Sequence, residues 1–108
     1  MKAIEQAERI YTVCVQAARD RKTITYREAL DKLGYREKVG GHVIRFGLEL
    51  AWIACAHAGI PSLTAIVVNQ ATGAPSDGYA VQDWRIDAEA VFAVKSWPTA
   101  DSIDWDYI

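Results

Sequence analysis

The sequence is poor in the residues that bind metals or act as nucleophiles, with two cysteines and two histidines among 108 residues. His42 and His57 lie too far apart to share one helix face, and no cysteine or carboxylate completes a ligand set with either. Cys55 and His57 are expected on different helix faces, so they do not form a nucleophile and base. Phosphate-binding glycine motifs are absent. We therefore expect no metal, no cofactor and no catalytic residue.

Long apolar runs are lacking as well. The longest uncharged run, residues 50–76, is interrupted by Asn, Gln, Gly and Pro, so no membrane-spanning helix is expected. Glu5, Glu8 and Arg9 stand where a signal peptide needs an apolar core. A chain that is 51% hydrophobic and 24% charged fits one folded domain over residues 1–108. We expect a soluble, cytoplasmic protein with Cys14 and Cys55 as reduced core residues.

Charge is divided unevenly along the chain. Residues 1–50 hold ten Lys and Arg against seven Asp and Glu, whereas residues 51–108 hold two against seven. The first half could therefore face an anion and the second half would repel one. The net charge of −2 argues against broad nucleic-acid binding, for which a basic domain is expected.

Apolar residues recur at helical spacing in two segments before the centre of the chain. The first predicted helix covers residues 2–20, with its apolar stripe on Ile4, Ala7, Tyr11, Cys14 and Ala18. The second covers residues 26–33. It starts at a capping box, in which Thr25 and Glu28 exchange side-chain-to-backbone hydrogen bonds, and it ends at Gly34.

The third predicted helix, residues 39–58, is apolar on most sides and is expected to be the most buried element. Phe46 belongs to its apolar spacing, whereas Trp52 falls on a stripe expected to be exposed. Gly47 in its middle costs helix stability, which predicts close backbone packing there. The short glycine-containing turn before this helix favours a helix-turn-helix.

The second half of the chain changes to β-prone patterns. Residues 63–69 predict a buried strand, and residues 79–84 predict a second strand that returns as a hairpin. Asp87 is the expected N-cap of a fourth helix at residues 88–95. The predicted fold is α+β and winged helix-turn-helix-like, with three N-terminal helices, a β-hairpin, one C-terminal helix and an extended acidic and aromatic tail at residues 97–108.

Several short motifs together resemble one known family. They are Thr23-Ile24-Thr25-Tyr26 with Ala29-Leu30, then Val39-Gly40-Gly41, Val67-Val68 and Gly78-Tyr79. This order is similar to the C-terminal domain of alkylguanine-DNA alkyltransferases and their non-catalytic alkyltransferase-like relatives, over about residues 10–95. The resemblance implies a winged-helix domain that approaches DNA through the minor groove. It also implies that Tyr26 helps to rotate a nucleotide out of the stack.

The chain departs from that family where the family performs its chemistry. Thr64 stands at the position of the acceptor cysteine, and Ala65 and Ile66 stand at the histidine and arginine that follow it. The intercalating arginine of the family falls on Glu37. A threonine hydroxyl with no adjacent base does not replace a thiolate at neutral pH. Alkyl transfer is therefore not expected.

Two binding functions remain open. The main hypothesis is a small protein-binding module of the inhibitor, immunity or accessory kind, because Trp and Tyr are frequent interface anchors. Its predicted contacts are Trp97, Asp101, Asp104, Trp105 and Tyr107. The alternative is weak, salt-sensitive DNA binding through Tyr26, Arg27, Arg36, Lys38, His42 and Arg45. The tail could instead pack across the core of its own domain, with its aspartates solvated.

Overall fold

The computed structural model describes residues 3–35, 45–75 and 84–105. It is mostly helical, with a small parallel sheet, and belongs to the α+β class. The elements are α1 (Ala3–Arg19), β1 (Ile24–Thr25), α2 (Tyr26–Lys32), α3 (Arg45–Ala58), β2 (Val67–Val68) and α4 (Trp84–Ala93), with short 3₁₀ helices at Leu63–Ile66 and Ala100–Ser102. Among the helices in these three ranges, none has the length and apolar character needed to cross a membrane.

Helix α1 is the element around which the others pack. It contacts α2, α3, α4 and both 3₁₀ helices. Its buried side chains follow the predicted stripe, except that Ile4 is exposed; they are Gln6, Ala7, Ile10, Tyr11, Cys14, Val15 and Ala18. The expectation that residues 39–58 form the most buried helix is therefore wrong over the described part, Arg45–Ala58. Residues 39–44 lie outside the described ranges.

The backbone of α3 at Gly47 packs closely against side chains of α1. A Cβ atom built on Gly47 would lie 2.6 Å from Oε1 of Gln6 and 2.8 Å from Cδ1 of Ile10. Both neighbouring side chains are buried, and Nε2 of Gln6 donates a hydrogen bond to the hydroxyl of Tyr35 at 3.1 Å. The close packing predicted at Gly47 is confirmed.

Helix α3 turns small residues toward the core and aromatic residues toward solvent. Its buried residues are Gly47, Ala51, Ala54 and Cys55. Trp52 is 51% exposed, as expected, but Phe46 is 58% exposed, so its predicted place on the buried side is wrong. A helix packed this closely accepts only small side chains on its inner face, which leaves the larger ones outside.

Helix α2 begins and ends as predicted. The amide of Glu28 donates to Oγ1 of Thr25, and the amide of Thr25 donates to Oε1 of Glu28, both at 3.1 Å. Gly34 follows the helix with a φ of +93°, which favours glycine because it lacks Cβ. The capping box therefore fixes α2 directly after β1.

The strand predicted over residues 63–69 is correct only at Val67–Val68. Leu63–Ile66 forms a 3₁₀ helix instead, in contact with α1, α3 and α4. A short apolar run satisfies burial in either conformation, so its pattern does not distinguish them. β2 pairs with β1 in parallel, with Ile24 opposite Val67. Residues 79–83 lie outside the described ranges, and Trp84 is helical.

The C-terminal elements also differ from expectation. α4 starts at Trp84, before the predicted residue 88, so Asp87 lies in its first turn rather than at its N-cap. Asp is favourable at both places because the helix N-terminus is electropositive, which explains the error. The tail expected to be extended contains the 3₁₀ helix Ala100–Ser102, where Oγ of Ser102 donates to the carbonyl oxygen of Thr99 at 2.7 Å.

We predict that Gly47→Val lowers the free energy of unfolding by about 1–3 kcal/mol, the usual cost of overpacking a core. The added side chain would overlap Gln6 and Ile10 at the α1–α3 contact. Urea denaturation measures the change. Ala56→Val, at an exposed position of the same helix, is the matched control and should change stability by no more than about 0.5 kcal/mol. Equal stability of the two variants would contradict the close approach.

Candidate functional site

The aromatic residues of the C-terminal segment pack into the core. Trp97 and Trp105 are each 6% exposed. The ring of Trp105 meets the ring of Tyr11 edge-on, with centroids 6.1 Å apart and planes at 76°. The hydroxyl of Tyr11 donates to the carbonyl oxygen of Pro98 at 2.6 Å, and Nε1 of Trp105 donates to the carbonyl oxygen of Ala100 at 3.1 Å. The Tyr11 hydroxyl thus ties the segment to α1, and the Trp105 indole closes a hydrogen bond within the segment.

This packing changes the interpretation of the predicted partner site. Buried Trp97 and Trp105 offer little surface to a partner while the domain is folded. Asp101 and Asp104 are exposed beside them, and Tyr107 lies outside the described residues. Up to residue 105, the tail therefore packs across the core of its own domain and exposes its aspartates, as the second expectation for this segment had it.

A different pair of aromatic residues faces solvent. Phe46 and Trp52 lie on the side of α3 that points away from α1, and Glu49 lies between them at i,i+3 spacing from each. Arg45 is exposed one turn before Glu49, and Ile53 is half-buried one turn after it. We call these five residues the outer face of α3. They combine three large apolar side chains with one charge of each sign.

The sequence pattern predicts an exposed stripe with Arg45, Glu49 and Trp52, but it counts Phe46 and Ile53 among the inward residues and so misses the aromatic pair. A signal was nevertheless present in the chain. Gly47, Ala51 and Ala54 repeat at i, i+4 and i+7, which places three small residues on one side of a helix. Such a side permits close helix packing, so the large residues opposite it should have been assigned to the surface.

The predicted DNA contacts are described only in part. Tyr26 is half-buried against the core, and Nη1 of Arg27 lies 3.9 Å from Oδ1 of Asp31 on the next turn of α2. Arg45 is exposed, but it shares the outer face of α3 with Phe46 and Trp52. Arg36, Lys38 and His42 lie outside the described residues. Of the predicted set, the structure thus describes only Tyr26, Arg27 and Arg45.

Thr64, at the position matched to the acceptor cysteine, lies in the 3₁₀ helix before β2. Its hydroxyl oxygen is 2.8 Å from Oγ of Ser62, and either hydroxyl can donate. A second hydroxyl does not act as a base at neutral pH, so this pair does not activate Thr64. Across the three described ranges, no group of three or more His, Cys, Asp or Glu residues could hold a metal ion.

The two cysteines are buried and free, as predicted. Burial raises the pKa of the Cys14 thiol to about 12, and nearby Cys55 adds to the rise. Burial also raises the pKa of Cys55, although a hydrogen bond from the backbone of Leu63 acts in the opposite direction. Both thiols are therefore protonated at neutral pH, and a thiol is a far weaker nucleophile than a thiolate.

Comparison with protein-family models, with curated proteins and with solved structures finds no match to this chain. Among the described residues, the outer face of α3 is the candidate site, since it gathers exposed aromatic and charged side chains on one regular element.

We predict that Trp105→Ala lowers the free energy of unfolding by about 3–5 kcal/mol, because a large buried side chain is removed. The loss should include its contacts with Tyr11 and its hydrogen bond to Ala100. Urea denaturation of the isolated protein measures this change. Asp101→Asn, on the exposed side of the same segment, serves as control and should alter stability by at most about 0.5 kcal/mol. A Trp105→Ala variant as stable as the control would show that the segment does not close the core.

The buried thiols predict a loss of stability at alkaline pH. The folded-state pKa of Cys14 exceeds its ordinary value of 9.0, so the unfolded chain releases this proton first as pH rises. The stability that the protonated Cys14 thiol contributes is fully present below pH 9 and is lost between pH 9 and about 12. Each thiol contributes a slope of at most about 1.4 kcal/mol per pH unit.

Between pH 9 and 10, the free energy of unfolding should therefore fall less steeply with pH for Cys14→Ala than for the unmodified protein. Below pH 9, ionisation of Cys14 should not affect the stability of either protein. Tyr11, whose pKa burial raises to about 12 from 10.0, adds its effect mainly above this window. Equal slopes in the two proteins would contradict the burial of the Cys14 thiol.

Proposed function

We propose that this chain is a non-catalytic protein-binding module whose partner contacts the outer face of α3. The observation that carries the proposal is the exposure of Phe46 and Trp52, at 58% and 51%, on a helix whose opposite side is buried. Aromatic side chains are enriched at protein interfaces and supply much of the binding free energy there.

The arrangement of these aromatics matters more than their exposure alone. Single exposed apolar residues are normal on protein surfaces and need no explanation. Here two aromatics lie within two turns of one helix, and half-buried Ile53 extends the apolar area beside them. Phe46 and Ile53 are spaced i, i+7, as in a helix face that docks into an apolar groove, and Trp52 extends the surface about 120° around the helix.

The charges on the same face indicate what the partner should offer. Glu49 lies between the two aromatics, and Arg45, of opposite sign, lies one turn before it. A complementary surface would be apolar where it meets Phe46 and Trp52, with a basic group between them near Glu49 and an acidic group near Arg45. Such complementary charges contribute to specificity and association rate more than to affinity.

The helix is also held firmly enough to serve as a binding surface. Its inner side packs on α1 at Gly47, where a Cβ atom would overlap the side chains of Gln6 and Ile10. A helix that is already formed loses little conformational freedom when it binds. This packing supports recognition by the folded domain rather than by a segment that folds on contact.

The DNA-binding alternative and its winged-helix resemblance are less well supported by these residues. Phe46, Glu49 and Trp52 occupy the exposed side of the helix that a helix-turn-helix would use to contact DNA. A carboxylate there opposes phosphate, and only Arg45 adds a cation to the face. The protein-binding function therefore agrees better with the chemistry of α3.

A photo-crosslinking experiment in the host cell tests the proposal. A photoreactive phenylalanine derivative replaces Trp52 in one variant and Ile86 in another. Ile86 is the matched control because it is also exposed, at 62%, and lies on α4. We expect a discrete protein adduct from position 52, identified by mass spectrometry, and no such adduct from position 86.

The same adduct should weaken when Phe46→Ala is added to the position-52 variant. Truncating one interface anchor reduces the binding free energy by about 2 kcal/mol, which corresponds to a roughly 30-fold larger dissociation constant. Thermal denaturation should show that Phe46→Ala leaves the fold intact, because the side chain is exposed. Adducts of equal yield from positions 52 and 86, or none from position 52, would overturn the proposal.

Fluorescence anisotropy with a labelled duplex at low salt separates the DNA alternative from this proposal. Weak non-specific binding would have a dissociation constant of about 10⁻⁴ to 10⁻⁶ M and would weaken steeply with added salt. We expect no such binding. Salt-sensitive binding that is lost in a variant with Arg36, Lys38 and Arg45 replaced by alanine would favour DNA instead.

A further inference from the structure

We draw no further inference here: the strongest candidate, the groove of about 820 Å³ that α1 forms with the start of α2 and with residues 98–101, is lined by as many acidic as basic side chains, and nothing in the described part of the chain shows which ligand or partner it would take.

Discussion

The close contact between α1 and α3 at Gly47 determines which side of α3 is buried. No side chain fits between Gly47 and the buried pair Gln6 and Ile10 without displacing them. This approach selects Ala51 and Ala54 for the same inner side, since larger residues would separate the helices. It also fixes the rotation of α3 about its axis, and thereby decides which residues of that helix meet water.

Two sets of aromatic residues differ in their exposure to solvent. On α3, Phe46 and Trp52 project away from the core. In the C-terminal segment, Trp97 and Trp105 fill the core, and the hydroxyl of Tyr11 secures the segment through the carbonyl oxygen of Pro98. The same residue types thus contribute to stability at one place and supply the proposed binding surface at the other. Position relative to α1 makes the difference.

The sequence predicts local structure well where the signal lies within a few residues. Thr25, Glu28 and Gly34 identify the ends of α2 because each makes its contact or adopts its backbone angle locally. The pairing of Ile24 with Val67 depends on residues more than forty positions apart, and no local pattern specifies it. Phe46 was misplaced for a related reason: its apolarity indicates burial, but only the contact with α1 decides which side of the helix is inside.

Phe46 and Trp52 form an exposed surface, whereas Trp97 and Trp105 close the core. Hydroxyl-radical footprinting of the purified protein, read by mass spectrometry, tests this difference most directly because oxidation rates follow side-chain exposure. We predict fast oxidation of Phe46 and Trp52 and strong protection of Trp97 and Trp105. Oxidation of Trp105 as fast as that of Trp52 would contradict it.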